Sequence, residues 1–379
     1  MGNNSQKVKT TTLITGSTGY VGAFIVEQVL STTSDNIICL VRDHGVDHDK
    51  SLQEHFEELG LNISHQLSRI KVITGDITHP TLGLSDKDYK RLSHNINHVI
   101  LSAAWTNHIR PYSNLVATNV DSVKNFIDFC FLGNKKTLSF VSSIAGIAEL
   151  TDNGELSEKF PTDVSDIQLP PSGYGLTKYR AEQLVEQAVD NGLDAKVMRL
   201  GQMSGDSKTG KGIRWDDHLM MRLKECILSG YAADWPNEQL TFIPCDYAAQ
   251  VIVALSFEKN IKPSVYNIST QAMCWQEIIG YLNQVGYRIE LVSPEQWMEK
   301  CKQRGEECLL HALLQHYSAD GKLTKQFPYI DQLTSNRVDT RKTQAALKQL
   351  DTNINTVSPK LLLEKYVKYF IECGFFPKP

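Results

Sequence analysis

The sequence has no long apolar run and no concentrated charge of either sign. Among its 379 residues, 39 basic and 43 acidic side chains give a net charge of −4, and no block of like charge reaches five residues. Binding along a nucleic acid needs a clustered basic field, so this distribution argues against nucleic acid as a main partner. No apolar stretch approaches the roughly 18 residues of a spanning helix, which predicts no membrane crossing.

The sequence also lacks the patterns of a secreted or metal-binding protein. Its eight cysteines include no C-x-x-C pair, and residues 1–4 lack the apolar core of a signal peptide. We therefore expect reduced thiols and a cytoplasmic location. Two histidine pairs have helical spacing, His44 with His48 and His94 with His98. Neither pair has a third ligand nearby, so we predict no metal site.

Short β-branched runs alternate with longer amphipathic stretches through the first 200 residues. The strand-like runs are Thr11–Thr15, 37–41, 70–73, 99–101, 138–141 and 195–198. This alternation indicates β-α-β crossovers, and beyond Gly201 helical periodicity dominates. We predict an α/β fold with a Rossmann-type doubly wound parallel sheet over 10–205 and 240–262. A smaller, mostly helical C-terminal substrate lobe is expected over 206–239 and 263–379.

A glycine-rich segment follows the first predicted strand and opens the first predicted helix. Its residues are Gly16, Ser17, Thr18, Gly19, Tyr20, Val21 and Gly22. Glycines allow a tight turn and a close approach of the backbone to a pyrophosphate, and the helix N-terminus offers unpaired N–H groups. The spacing is G-x-x-G-x-x-G rather than G-x-G-x-x-G. Because a strand precedes it and a helix follows, we predict a dinucleotide-binding loop.

The end of the second strand indicates which nicotinamide cofactor binds. Arg42 lies where an acidic residue would bind the ribose 2′-hydroxyl of NAD, and a guanidinium suits a 2′-phosphate. NADPH is therefore favoured, while the neighbouring Asp43 keeps NADH open. The other predicted cofactor contacts are Asp76, Ile77, Ala103, Ala104 and Lys178. A turn carboxylate and ordinary core packing would explain Asp76 and the two alanines equally well.

A serine, a tyrosine and a lysine form the predicted catalytic set. Tyr174 and Lys178 are four residues apart, so they share one helix face, and Ser143 ends the fifth strand. A nearby ammonium favours the phenolate, so we expect Lys178 to lower the pKa of Tyr174 and assist proton transfer. Ser143 would hydrogen-bond the reacting carbonyl oxygen. Strand alternation turns Ser142 the other way, towards a structural role.

Together these motifs resemble an extended short-chain dehydrogenase/reductase. The flanking residues are similar to the thioester reductase family, which comprises the terminal reductase domains of nonribosomal peptide and polyketide synthetases, carboxylic acid reductases and α-aminoadipate reductase. The segments that carry this narrower resemblance are 102–108, 111–112, 118–120, 199–205, 207–210, 242–249, 281–282 and 293–297. The family more often has Ser-Thr where Ser142-Ser143 stand and Arg-Pro-Gly at 199–201, but serine can replace threonine chemically.

The resemblance implies NADPH-dependent reduction of an acyl thioester held on the phosphopantetheine arm of a carrier protein. The product would be an aldehyde, or an alcohol after a second hydride. No carrier-type serine motif is found, so we expect an acyl-loaded carrier protein in trans; the oligomeric state is not indicated. The loop 206–215 is either a flap over the acyl chain or an ordinary exposed loop. Its Lys208, Lys211 and Arg214 would meet either an acidic carrier protein or the pantetheine phosphate.

Three other functions stay open at this point. One is reduction of an acyl-coenzyme A or of a free carbonyl compound. Another is an NAD-dependent sugar-nucleotide epimerase or dehydratase, against which Arg42 and the helical lobe argue. The third is a non-catalytic dinucleotide sensor, which would not need Ser143, Tyr174 and Lys178 together.

Overall fold

A computed structural model describes residues 10–43, 45–163, 165, 169–170, 172–212, 217–316 and 338–379. The strands, in chain order, are β1 (Thr11–Thr15), β2 (Asn36–Val41), β3 (Ile70–Thr74), β4 (His98–Leu101), β5 (Thr137–Ser143), β6 (Asp194–Leu200), β7 (Met203–Ser204), β8 (Tyr231–Ala233), β9 (Gln239–Thr241), β10 (Ile243–Pro244), β11 (Ser264–Ile268), β12 (Ala272–Cys274) and β13 (Glu290–Val292). Seven of them form one parallel sheet in the order β3-β2-β1-β4-β5-β6-β11.

Helices cover both faces of this sheet and build the lobe. They are α1 (Tyr20–Thr32), α2 (His48–Glu58), α3 (Asp86–Asn95), α4 (Tyr112–Val116), α5 (Ser122–Phe131), α6 (Gly173–Asp190), α7 (His218–Ser229), α8 (Cys245–Phe257), α9 (Trp275–Val285), α10 (Pro294–Gln303), α11 (Arg341–Gln349) and α12 (Pro359–Glu372). A π-helical turn, Ala117–Asp121, joins α4 to α5. The predicted α/β fold with a doubly wound parallel sheet is thus confirmed.

The strands are nearly continuous apolar runs because both faces of the sheet are covered. On one face, α1 and α8 pack together, with Phe24 and Val251 in the same buried cluster. On the other face, Phe126 of α5 and Val185 of α6 belong to a second cluster. The sheet is therefore the middle layer of three, and its carboxyl-terminal edge is left for ligands.

The strand order reverses between β1 and β4, which lie side by side in the centre of the sheet. In open α/β sheets, ligands bind at this switch point, beyond the carboxyl ends of the strands. The glycine-rich loop follows β1, Ala103 follows β4, and Ser143 ends β5. The topology thus brings the predicted cofactor and catalytic residues to one edge.

The lobe has a hydrophobic cluster of its own, built from α7, α9, α10 and α12 around Trp275 and Trp297, which are both fully buried. The sheet extends further along the chain than the sequence indicated, because β11 pairs with β6 and α11 packs on β11. The division of the chain into two domains stays a prediction. The strand β11, which falls in the range predicted for the lobe, belongs to the sheet. Within the described ranges, no helix has both the length and the apolar character that a bilayer crossing requires.

Candidate active site

The glycine-rich loop packs closely against the strand ends around it. Gly16 has φ +73°, and a Cβ at this position would lie 2.8 Å from the backbone nitrogen of Ala103. A Cβ on Gly22 would lie 2.0 Å from the carbonyl oxygen of Gly16. Any side chain at Gly16 or Gly22 would therefore push the loop away from β4 or from α1.

The N-terminus of α1 fits the phosphates of a dinucleotide. Its N-cap residue is Gly19, with no side chain to occupy the N–H groups of the first turn, and Gly19 N donates to Gly16 O at 2.9 Å. Thr18 and Gly19 are exposed, whereas Ser17 is buried and Tyr20 and Val21 pack against the cluster around α1. The loop therefore presents mainly backbone donors at its surface, as anion binding by a helix N-terminus requires.

The predicted cofactor residues Arg42, Asp76 and Ile77 follow the carboxyl ends of β2 and β3, on the same side of the sheet as this loop. Arg42 is exposed at the end of β2, and Asp76 is exposed after β3. Two hydrogen bonds from Thr78 lower the pKa of Asp76, and the nearby Arg42 lowers it further. Ile77 packs inwards, and its carbonyl oxygen accepts from Asn125 Nδ2 at 3.0 Å. Arg42 and Asp76 thus form a charged rim, while Ile77 is anchored in the core.

Ser143, Tyr174 and Lys178 come together where β5 meets α6. The side chains of Ser143 and Tyr174 are hydrogen-bonded, and Ser143 Oγ accepts from Ala145 N at 3.1 Å. Lys178 Nζ donates to the carbonyl oxygen of Val141 at 3.0 Å and lies 5.9 Å from the centroid of the Tyr174 ring. The three side chains thus meet at the end of β5, and their catalytic roles stay a prediction.

Burial dominates the electrostatics of this set. It raises the pKa of Tyr174, against the hydrogen bonds from Thr106 and Ser143, which lower it. Burial also lowers the pKa of Lys178 to about 8, while Glu182 raises it. The expected lowering of the tyrosine pKa is therefore not seen in the unliganded chain, because desolvation disfavours the phenolate more than its neighbours favour it. Tyr174 holds its proton at neutral pH and is ready to donate it.

Three residues near Tyr174 were not assigned roles from the sequence. Thr106 hydrogen-bonds the phenol, and the ring of His108 lies edge-on to it with 5.0 Å between centroids. Burial lowers the pKa of His108 to about 4, so it is neutral at physiological pH. Asn119, in the π-helical turn, bonds both Trp105 backbone groups at 2.8 and 3.1 Å. The available sequence signal was the family resemblance, because segments 102–108 and 118–120 contain all three residues.

The loop after β7 is described as far as Gly212, and hydrogen bonds at Ser207 hold it on two sides. Ser207 donates to Asp246 through its backbone N at 2.9 Å and its Oγ at 2.6 Å, and Lys365 Nζ donates to Ser207 O at 2.8 Å. Lys208 is exposed. Arg214 and Trp215 lie outside the described residues, as does His44. The described part of this loop is therefore anchored to α8 and α12.

Cys301 and Cys308 lie in the core of the lobe, together with the buried Glu225. Arg304 Nε is 2.7 Å from one oxygen of Glu225, and Leu309 N donates to the other at 3.0 Å. Both carboxylate oxygens thus have partners, one of them a cation, which disfavours a metal ion beside the two thiols. We assign this cluster to packing.

The chain is similar to known proteins in sequence and in structure. The chain is 28% identical over 97% of its length to L-2-aminoadipate reductase of Schizosaccharomyces pombe, and 27% identical over 96% to a linear gramicidin synthase of Brevibacillus parabrevis. It spans 27% and 7% of those proteins. The terminal R domain of the myxalamid PKS-NRPS pathway superimposes with a TM-score of 0.85 at 26% identity, covering 98% of this chain and 93% of that one.

These matches confirm the resemblance to terminal reductase domains and to aminoadipate reductase that the sequence indicated. The model of the family described as male sterility protein, an NAD-binding family, matches residues 14–252. That range holds the glycine-rich loop, Ser143, Tyr174 and Lys178 together. The chain therefore belongs to the male sterility protein family, with an NAD(P)-binding domain and with reductases as its relatives.

Proposed function

We propose that this chain is an NADPH-dependent thioester reductase. Its substrate would be an acyl thioester on the phosphopantetheine arm of a carrier protein, and its first products an aldehyde and the free thiol. The observation that carries the proposal is the placement of Ser143, Tyr174 and Lys178 at the same sheet edge as the glycine-rich loop. The similarity to reductases over nearly the whole chain supports it.

The chemistry assigned to the chain is activation of the thioester carbonyl. NADPH, when bound, supplies the hydride. Ser143 and Tyr174 would hydrogen-bond the carbonyl oxygen, and Tyr174 would give up its proton as negative charge develops there. Lys178, positively charged beside the phenol, would stabilise the phenolate that results. Loss of the thiol from the tetrahedral product then leaves the aldehyde, so one thioester, one NADPH and one proton yield one aldehyde, one thiol and NADP⁺.

Two features support the choice of cofactor. The loop at the N-terminus of α1 fits a pyrophosphate, because Gly16 and Gly22 admit no side chain and no capping group occupies the first turn. Arg42 is exposed beside the loop, where its guanidinium is free to meet a 2′-phosphate in bidentate fashion. Asp43 next to it is the residue that would serve NADH.

The first experiment follows NADPH absorbance after addition of simple acyl-pantetheine thioesters, with products identified by mass spectrometry. We expect NADPH consumption matched by aldehyde, or by alcohol at two NADPH per thioester. The same assay with acyl-coenzyme A and with free aldehydes separates the neighbouring reductase activities. No consumption with any of these, together with NAD retained through purification, would contradict the proposal and point to an epimerase or dehydratase.

A further inference from the structure

A buried ion pair lies directly behind the proposed catalytic residues. Glu182 and Arg199 are both almost completely buried, and the guanidinium contacts both carboxylate oxygens, with Nη2–Oε2 at 2.5 Å and Nε–Oε1 at 3.0 Å. Arg199 also donates to the carbonyl oxygens of Ser157 and Lys159, each at 2.8 Å. Burying two charges costs several kcal/mol per ion and is seldom better for stability than apolar packing. The buried pair therefore points to a role besides stability.

The pair is joined to the active site through three consecutive residues of β5. Val141 O accepts from Lys178, Ser142 Oγ donates to Glu182 at 2.5 Å, and Ser143 hydrogen-bonds Tyr174. On α6, the three partners are Tyr174, Lys178 and Glu182, spaced four apart on one face.

Arg199 of β6 lies opposite Ser142 in the sheet register, so Glu182 is bonded to neighbouring residues of both strands. The end of β5 and one face of α6 are thus joined by one contact per residue, with the fully buried Glu182 at the end away from Ser143 and Tyr174.

Glu182 is also the anionic group near the Lys178 ammonium. The segments packed against Lys178 are the end of β5, which contributes the Phe140 ring at 4.7 Å, and the turn Ile144–Gly146. Neither carries an ionisable side chain. On α6 the ionisable neighbours are Tyr174 and Glu182, and β6 contributes Arg199. Burial lowers the pKa of Lys178 to about 8, and Glu182 opposes this effect.

We propose that Glu182 is a positioning residue for the reaction. Held by Arg199 and Ser142, its carboxylate keeps the buried Lys178 positively charged and fixes α6 on the end of β5. The inference rests on the proposed function, because it assigns a charged Lys178 to the reductase. It adds that the charge depends on a fully buried residue outside the proposed set of Ser143, Tyr174 and Lys178.

The test compares Glu182→Gln with Asp35→Asn. Asp35 is also a buried carboxylate, hydrogen-bonded to Thr10 and Thr12 at the amino end of the sheet, far from the site. The readout is the pH profile of kcat/KM for thioester reduction. For the wild type we expect activity to fall as pH rises past about 8, the pKa of Lys178. Glu182→Gln should move this alkaline limb to lower pH by roughly one unit or more, and Asp35→Asn should leave it in place.

A second readout does not need activity. A lysine whose pKa is about 8 in the folded chain and 10.5 in the unfolded chain makes stability rise with pH between those values, because the unfolded chain then binds more protons. The difference in unfolding free energy between each protein and its Lys178→Met derivative isolates this effect. In the Glu182→Gln background the rise should begin at a lower pH. If the wild type reduces no thioester, this shift still tests Glu182 separately from the proposed function.

Ser142→Ala provides a second test of the proposal if Glu182→Gln does not fold. It removes only the hydroxyl donor to Glu182 and should shift the alkaline limb in the same direction by a smaller amount, while Ser142→Thr restores the donor and the wild-type profile. If Glu182→Gln and Ser142→Ala lose activity or stability while the alkaline limb and the pH dependence of unfolding stay unchanged, the ion pair is purely structural and the proposal is wrong.

Discussion

Tyr174 is buried, hydrogen-bonded to Ser143 and protonated at neutral pH, so its proton is the one the proposed reaction uses. We expect Tyr174→Phe to lower kcat by about 10²–10⁴, the usual contribution of a general acid, and to leave NADPH affinity unchanged. Steady-state kinetics and a fluorescence titration with NADPH measure the two quantities.

The matched control is Tyr179→Phe, one turn further along the same helix. Tyr179 is equally buried, but its hydroxyl donates to the carbonyl oxygen of Thr162 at 2.5 Å. This variant should lose some stability and little turnover. Equal losses of turnover in both variants would mean that removing a buried hydroxyl from α6, rather than the acid itself, causes the defect.

Arg42 tests the cofactor preference at the level of a single side chain. Arg42→Ala should weaken NADPH binding by about tenfold or more, since charge-assisted bonds to the 2′-phosphate contribute about 1.5–3 kcal/mol, and should change NADH affinity little. Dissociation constants for both cofactors check this. Arg91→Ala, which removes an exposed arginine paired with Asp88, is the control for net charge. An unchanged NADPH to NADH ratio in Arg42→Ala would overturn the cofactor assignment.

At the scale of the elements, the junction of β1 and α1 leaves no room for a side chain at Gly22. A Cβ on Gly22 would overlap Gly16 O, so Gly22→Ala should destabilise the fold by about 1–3 kcal/mol and abolish NADPH binding. Gly280 in α9 is the matched glycine, because a Cβ there meets no atom within 4 Å. Gly280→Ala should be neutral or stabilise by up to about 1 kcal/mol. Thermal unfolding with and without NADPH distinguishes the two; similar behaviour would contradict the close packing.

The anchored loop after β7 presents Lys208 outwards, between α8 and α12. If an acidic carrier protein docks there, Lys208→Glu should raise KM for an acyl-carrier substrate and leave KM for a small acyl-pantetheine thioester unchanged. Lys71→Glu, at an exposed position on the edge strand β3, is the control for added negative charge. Equal KM values for the carrier in both variants and the wild type would place carrier docking elsewhere.

How far the sequence predicts an element depends on whether the element is defined locally. The bounds of β1 agree with its predicted run to the residue, since that apolar pattern reflects the strand's own burial. The strand β11 was missed, because five residues without a distinctive turn become a strand only through pairing with β6. The contacts of Thr106 and His108 with Tyr174 were missed for the same reason, as a loop's contacts depend on where the chain folds back.

On the scale of the whole molecule, lobe and sheet are joined through α12. Tyr366 Oη is 2.8 Å from Ser204 Oγ and donates to Gly205 O at 3.0 Å, and the lobe core holds Trp235, Trp275 and Trp297. We expect one cooperative unfolding transition, with tryptophan fluorescence, which reports mainly on the lobe, coinciding with far-ultraviolet circular dichroism, which reports on both parts.

Tyr366→Phe removes both hydrogen bonds, leaves the ring packing in place and should lower stability by about 1–3 kcal/mol. If the junction couples the two parts, the fluorescence transition of this variant should precede the dichroism transition. Separate transitions already in the wild type would show that the lobe unfolds independently of the sheet.

The contact between Ser204 and Tyr366 also sets an order of events on the ribosome. The two residues are 162 positions apart in the chain. At elongation rates of about 5–20 residues per second, β7 and the loop behind it wait roughly 10–30 s for the helix that holds them. The dinucleotide loop and its neighbouring strands are synthesised well before that, so a nascent chain acquires its cofactor-binding edge first and its closed substrate side last.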